Sequence, residues 1–170
     1  MKEKMSNFIQ DNLYSEKGNN LFFLTERFCN EKRDIEKAKD TVRRVMAKVL
    51  RNLQGKYWYK NPAKSVYVIE HGKAGLYHMH CILNTEDKTQ SDLENAFQIV
   101  SERCKSCNMC YDFCDSIKDI TKFNPKKNHI HIEPVWDLNG VTDYILKEYN
   151  WKYNRPNFDN FYNERTMFYC

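Results

Sequence analysis

Two segments with alternating side chains, separated by a glycine-containing turn, constrain the fold of this chain more than any other feature. In SVYVIEHG, from residue 65, Val66, Val68 and Glu70 alternate with Tyr67, Ile69 and His71. LYHMHCIL follows from residue 76, and the intervening HGKAG has the glycines of a turn. Because a period of two is typical of β-strands, the pattern predicts an antiparallel hairpin.

The other patterned segments extend this hairpin into a mixed α and β order. They are a strand in NLFFLTERF from residue 20, helices over 31–53 and 91–104, a strand over 129–136 and a helix from residue 141. Residues 1–19 are expected to form a short helix or an N-terminal arm. This order predicts one α+β domain over residues 1–170, with helices flanking a mostly antiparallel sheet.

Length and charge narrow the functional classes. The chain has 170 residues and a formal net charge of +4, which suits one core and is compatible with a polyanionic partner such as nucleic acid. Neither a secretory h-region nor an apolar run of membrane-spanning length is found. We therefore expect an intracellular protein without membrane contact, in which the seven cysteines are reduced thiols or metal ligands.

The second strand of the hairpin carries two histidines on one face. His78 and His80 are two residues apart, so their rings project together while Met79 and Cys81 project to the other side. Glu70 on the first strand can lie across from them if the turn is short. Two imidazoles and a carboxylate suit one divalent ion such as Mn²⁺ or Mg²⁺. The alternative is a pair of histidines satisfied by hydrogen bonds on a half-exposed sheet.

A second histidine pair has the same spacing. In HIHIE, His129 and His131 are two residues apart and Glu133 follows at the same interval. Periodicity alone makes this segment an equal candidate for a metal site.

The helix after the last strand carries a tyrosine and a lysine on one face. Tyr144 and Lys147 are three residues apart, away from the apolar stripe of Val141, Ile145 and Tyr149. A neutral phenol is a poor nucleophile, but a nearby cation favours the phenolate. The pair suits attack on phosphorus, and an ordinary amphipathic helix with a polar face explains it as well.

Together, three motifs resemble a known family. The order of FFLTERF, a glutamate upstream of HMH on the partner strand, and YILK on a later helix is similar to that in HUH endonucleases, specifically single-tyrosine rolling-circle replication initiators. The resemblance spans about residues 20–151 and implies a sheet of the HUH type, which derives from the ferredoxin-like fold. It also implies that His129 and His131 are surface or DNA-facing residues, because the family has no metal ligands in that strand.

The resemblance implies a metal-dependent cut in single-stranded DNA at a replication origin. Glu70, His78 and His80 would hold the ion. Tyr144 would attack the scissile phosphate, leaving a 5′-phosphotyrosine and a free 3′-hydroxyl, while Lys147 would neutralise charge or orient the DNA. Thr25, in the first motif, would shape the sheet and contact DNA.

The same resemblance implies a cellular context. The protein would serve a small plasmid or virus, with host replication proteins or a helicase as partners, in the cytoplasm of a bacterial or archaeal host or the nucleus for a eukaryotic virus. One alternative is a single-tyrosine insertion-sequence transposase, although Lys147, three residues after Tyr144, favours the initiator. Another is a non-catalytic nucleic-acid-binding module with a zinc site.

Two further segments have no counterpart in these motifs. The insertion over residues 104–114 contains four cysteines that could hold a structural Zn²⁺ or could be reduced thiols on a helix: Cys104, Cys107, Cys110 and Cys114. The aromatic tail over 152–170 includes Lys152 and Arg155 among its rings. These residues would suit contacts with unpaired DNA, or the tail could pack over the sheet.

Overall fold

The computed structural model describes residues 2–27, 35–71, 77–104, 130–146 and 161–163. The helices in these ranges are α1 (Lys2–Leu13), α2 (Ile35–Gln54), α3 (Gln90–Cys104) and α4 (Leu138–Ile145). The strands are β1 (Leu21–Arg27), β2 (Ser65–His71), β3 (Tyr77–Asn84), β4 (Ile130–Pro134) and β5 (Phe161–Asn163), and a short 3₁₀ helix spans Trp58–Lys60. The predicted α+β class is confirmed.

The five described strands form one sheet in the order β4-β1-β3-β2-β5, and each neighbouring pair is antiparallel. Strands β1 and β2 are therefore parallel to each other, with β3 between them and α2 as their connection. Strands β3 and β4 have the same relationship across β1, with α3 between them in sequence. Two interleaved β-α-β crossovers of this kind are the ferredoxin-like arrangement.

The register of the central strands aligns the residues singled out from the sequence. Strands β2 and β3 pair as predicted, with Glu70 opposite His78. Strand β1 lies on the other side of β3, with Thr25 opposite His80. Three strands thus place their polar residues side by side on one face of the sheet.

Helices cover both faces of the sheet. Because alternate residues of a strand project to opposite sides, each strand supplies side chains to two cores. Helices α2 and α3 pack on one face over residues that include Leu24, Tyr67 and Met79. Helices α1 and α4 pack on the other face, where a smaller core contains Ile9, Val68 and Ile145.

Two helix starts differ from the sequence prediction. Helix α3 begins at Gln90, one residue earlier than the predicted start at residue 91, with a reciprocal cap between Thr89 and Asp92. Helix α4 begins at Leu138, three residues earlier than the predicted start at residue 141. The N-terminal segment, for which a helix or an arm was expected, is a helix, α1.

Helix length and hydropathy bear on the prediction of no membrane contact. Among the described residues, no helix is both long enough and apolar enough to cross a bilayer.

Candidate metal centre

Glu70, His78 and His80 converge on the face of the sheet that α1 and α4 cover. Glu70 lies near the end of β2, and the two histidines lie near the start of β3, so all three are at the hairpin end of these strands. The register puts Glu70 directly opposite His78 and diagonal to His80. The predicted alignment of the carboxylate with the histidine pair is confirmed.

The three side chains are close enough to share one ion. Oε2 of Glu70 lies 2.8 Å from Nε2 of His78 and 3.2 Å from Nε2 of His80. One candidate ligand atom from each residue lies within 4.8 Å of the others. Glu70 and His80 are buried, whereas His78 is partly exposed, so the group opens to solvent on the His78 side. This buried carboxylate and imidazole group could hold a metal ion.

Thr25 of β1 lies behind His80. Its Oγ1 is 3.1 Å from Nδ1 of His80, the ring nitrogen that faces away from Glu70. Both nitrogens of His80 therefore have a hydrogen-bond partner, which fixes the orientation of the ring. The sequence reasoning gave Thr25 a part in shaping the sheet and in DNA contact; the DNA contact stays a prediction.

Phe23 supports the same ring from its face. It is two residues before Thr25 on β1 and projects to the same side of the sheet. Its ring is stacked on His80, with centroids 5.4 Å apart and planes 9° from parallel. Phe23 is itself buried in the core under α1 and α4, so the imidazole is held between a packed ring and two polar partners.

Tyr144 of α4 contacts this group of side chains. The edge contact between its ring and His80 has a centroid distance of 5.3 Å and an interplanar angle of 85°. Its ring also meets Phe23 edge-on at 5.9 Å. The next residue, Ile145, is buried in the core beneath α4, which anchors the helix, while Tyr144 is 45% exposed. A solvent-accessible phenol thus lies against the candidate metal group.

The second histidine pair is only partly described. His131 of β4 projects to the same face, opposite Thr25, but its Nε2 lies 3.2 Å from Oε2 of Glu133. Both of these side chains are substantially exposed, as expected for surface residues. Within the described ranges, only Glu70, His78 and His80 form a group of three that could hold an ion.

A groove lined by polar residues runs between α1 and α4. It has a volume of about 530 Å³, and its lining is made of carboxylates, carboxamides and a hydroxyl, from Glu3, Ser6, Asn7, Gln10, Asn139 and Asp143. The side chain of Gln10 donates to Oδ1 of Asn139 at 2.7 Å and joins the two helices. Carboxamides of this kind can hydrogen-bond the edges of nucleobases.

Several predicted site residues lie outside the described ranges. They are Lys147, Lys152, Arg155, His129 and three of the four clustered cysteines: Cys107, Cys110 and Cys114. Cys104 is the last residue of α3. The roles assigned to these residues remain predictions.

Sequence reasoning did not single out Phe23 or Glu26. Phe23 was part of a predicted strand, and alternation along β1 would have placed it on one face with Thr25, but its stacking on His80 depends on the register between β1 and β3. Glu26 projects to the opposite face and is fully buried there. A glutamate within an apolar strand was the only signal for it.

Comparison of the chain with protein-family models, with curated proteins and with solved structures gives no match.

Proposed function

We propose that this protein is a metal-dependent endonuclease that nicks single-stranded DNA with a tyrosine nucleophile, as HUH replication initiators do. The observation that carries the proposal is the contact of Tyr144 with His80, which belongs to the Glu70 and histidine group. A nucleophile of this type needs an electrophile held within a few ångströms of it. The contact of α4 with the histidines of the hairpin supports the proposal.

The donor set fits a divalent ion that binds phosphate oxygens. Glu70, His78 and His80 would hold it, and the two imidazoles with one carboxylate leave further coordination positions for other ligands. When bound, such an ion polarises a phosphoryl oxygen and stabilises the charge that develops on it. We propose Mn²⁺ or Mg²⁺ in this role.

The chain's own residues supply the nucleophile and its placement. The phenolic oxygen of Tyr144 forms a bond to phosphorus, and the bond from phosphorus to the 3′ oxygen breaks. The phenol loses its proton and the departing 3′ oxygen gains one, so the products are a 5′-phosphotyrosine and a free 3′-hydroxyl. Phe23 and the buried Ile145 keep the phenol beside His80 during this exchange.

The covalent intermediate gives the reaction a second use. One phosphate ester replaces another, so no net ester bond is lost, and a 3′-hydroxyl can reverse the step and rejoin a strand. This property suits the initiation and termination of rolling-circle replication, which is the role we propose. The groove between α1 and α4 includes carboxamides among its lining residues, and carboxamides can hydrogen-bond bases.

A denaturing gel tests the proposal directly. The protein is incubated with Mn²⁺ and a pool of single-stranded DNA labelled at the 3′ end, because the 3′ fragment is the one that stays on the protein. We expect a labelled adduct with the wild-type chain, and none after EDTA or in Tyr144→Phe. Tyr14→Phe, which alters another exposed tyrosine, is the matched control and should keep the adduct. An adduct that persists in Tyr144→Phe would assign the nucleophile to another residue.

A further inference from the structure

A second surface of the protein combines lysines with exposed aromatic rings. It is the connection between α2 and β2, residues 55–64, which we term the basic-aromatic turn. Its sequence, GKYWYKNPAK, contains three lysines and no carboxylate. Tyr57 and Tyr59 within it are each more than half exposed. The function proposed above makes no use of this surface.

The backbone of the basic-aromatic turn is held in one shape. Gly55 ends α2 with a φ of 85°, a left-handed conformation that suits glycine. The peptide groups of residues 55–61 are linked by successive hydrogen bonds, and the backbone N–H of Ala63 donates to the side chain of Gln54. Trp58 packs against the core beneath α2. The exposed side chains are therefore presented on a rigid support.

Two of the three lysines of the turn lie beside one aromatic ring. The ammonium groups of Lys56 and Lys60 lie 4.7 and 5.0 Å from the ring centre of Tyr57, within cation–π range. Among the described residues, no carboxylate forms an ion pair with either of them. By contrast, Arg43 and Arg44 on α2 both pair with Asp40. The positive charge of the turn therefore remains available to an anionic partner.

The turn lies at the other end of β2 from the candidate metal centre. Ser65, where β2 begins, and Glu70 are five positions apart, which is about 17 Å along a strand. The ammonium of Lys64 donates to the backbone carbonyl of Tyr14, so the end of α1 is tied to the same place. A chain of nucleotides of about this span could reach both sites.

We propose that the basic-aromatic turn binds single-stranded nucleic acid, with Lys56 and Lys60 on backbone phosphates and Tyr59 stacked on an unpaired base. Regularly placed cations beside exposed aromatic rings are the chemistry by which proteins bind single strands without sequence preference. Tyr57 acts as a positioning residue, because its ring holds the two ammonium groups. The inference concerns binding only, and it does not depend on cleavage at the metal centre.

Fluorescence anisotropy with labelled oligothymidylate tests the inference, in EDTA so that metal-dependent contacts are removed. For Lys56→Gln combined with Lys60→Gln, we expect roughly tenfold weaker binding at moderate salt and a salt dependence shallower by about 1.4 in log–log slope, as for two lost phosphate contacts. Tyr59→Ala should weaken binding about fivefold or more, whereas Tyr59→Phe, which keeps the ring, should not.

A charge-matched control separates a local contact from general attraction. The double variant Lys17→Gln, Lys88→Gln removes the same amount of positive charge from outside the turn. Of these two lysines, Lys88 pairs with Asp87. An equal loss of affinity in this control would overturn the inference, and so would unchanged binding in the turn variants. Equal affinity for a blunt duplex would also overturn the inference. So would lysine-dependent binding that is seen only with vesicles of anionic lipid, because either result assigns the surface to another partner. All these affinities are measured in EDTA, where no metal-dependent cleavage takes place. A negative result in the adduct assay therefore does not affect the test of nucleic-acid binding by the turn.

Discussion

Thr25 Oγ1 lies 3.1 Å from Nδ1 of His80 and joins β1 to a histidine of the candidate metal group on β3. A threonine hydroxyl can both donate and accept, so it can serve either tautomer of the ring. When Nε2 of His80 donates to Glu70, Nδ1 accepts from Thr25. When Nε2 is a metal ligand, Nδ1 carries the proton and donates to Thr25. The hydroxyl therefore supports the ring with and without an ion.

Replacement of Thr25 tests this relationship. We expect Thr25→Val, which keeps the shape and removes the hydroxyl, to weaken Mn²⁺ binding by about 10- to 100-fold, the usual effect of losing such an outer partner. Thr25→Ser retains the hydroxyl and should stay close to the wild type. Isothermal titration calorimetry gives both constants, and equal affinities in the Val and Ser variants would contradict the role.

The choice between the two histidine segments gives a second prediction. His78→Ala should abolish Mn²⁺ binding, because one of three ligands is lost, while His131→Ala should leave it unchanged within about twofold. Metal that binds only the folded state raises stability by about 2.7 kcal/mol at 100 times its dissociation constant. Thermal denaturation with and without Mn²⁺ should thus show stabilisation in His131→Ala and none in His78→Ala. Stabilisation by Mn²⁺ in His78→Ala and none in His131→Ala would assign the metal centre to the histidine of β4 instead.

The stacked ring of Phe23 gives a third prediction. Phe23→Leu keeps an apolar side chain in the core but removes the flat surface against His80 and the edge contact with Tyr144. We expect adduct formation to slow roughly tenfold, since small displacements of a nucleophile are costly, with Mn²⁺ affinity changed less than threefold. The loss of stability should stay below the roughly 3–5 kcal/mol typical of Phe→Ala. Single-turnover rates measure the effect, and a wild-type rate would show that Phe23 does not position the phenol.

The cap of α3 predicts a dependence of stability on acid pH. Hydrogen bonds from the backbone N–H and the hydroxyl of Thr89 hold the pKa of Asp92 below its ordinary value of 3.8. Because the pKa of Asp92 is lowered in the folded state, its carboxylate contributes to the stability of the fold above pH 3.8. This contribution is lost as the pH falls through the folded-state pKa.

Asp92→Ala should therefore lower the melting temperature near neutral pH, and its difference from the wild type should narrow as pH falls below 3.8. Asp87→Asn, at an exposed carboxylate outside the helix, is the control and should show no such narrowing. A gap between Asp92→Ala and the wild type that is the same at every pH would exclude this cap as the source.

Local pattern was enough to predict the hairpin and the convergence of its glutamate with its two histidines. The period of two in β2 and β3 placed His78 and His80 on one face and predicted Glu70 beside them, because alternation is a property of a single strand and a short turn fixes the pairing. Helix starts were less certain. Residues 138–140 have the composition of a turn, but the backbone N–H of Val141 donates to the carbonyl of Asp137 and Val141 packs with the core beneath α4, so the helix extends back through them.

The surroundings of His80 depended on contacts between residues far apart in sequence. Thr25 and Phe23 reach it through the pairing of β1 with β3, and Tyr144 reaches it because α4 packs on that face of the sheet. Neither the order of strands nor the side on which a helix packs is encoded in the period of one segment; both follow from how all the apolar faces are buried together. The sequence by itself thus determined which residues of the hairpin could bind a metal, and the tertiary structure decided that His80 and Tyr144 lie side by side.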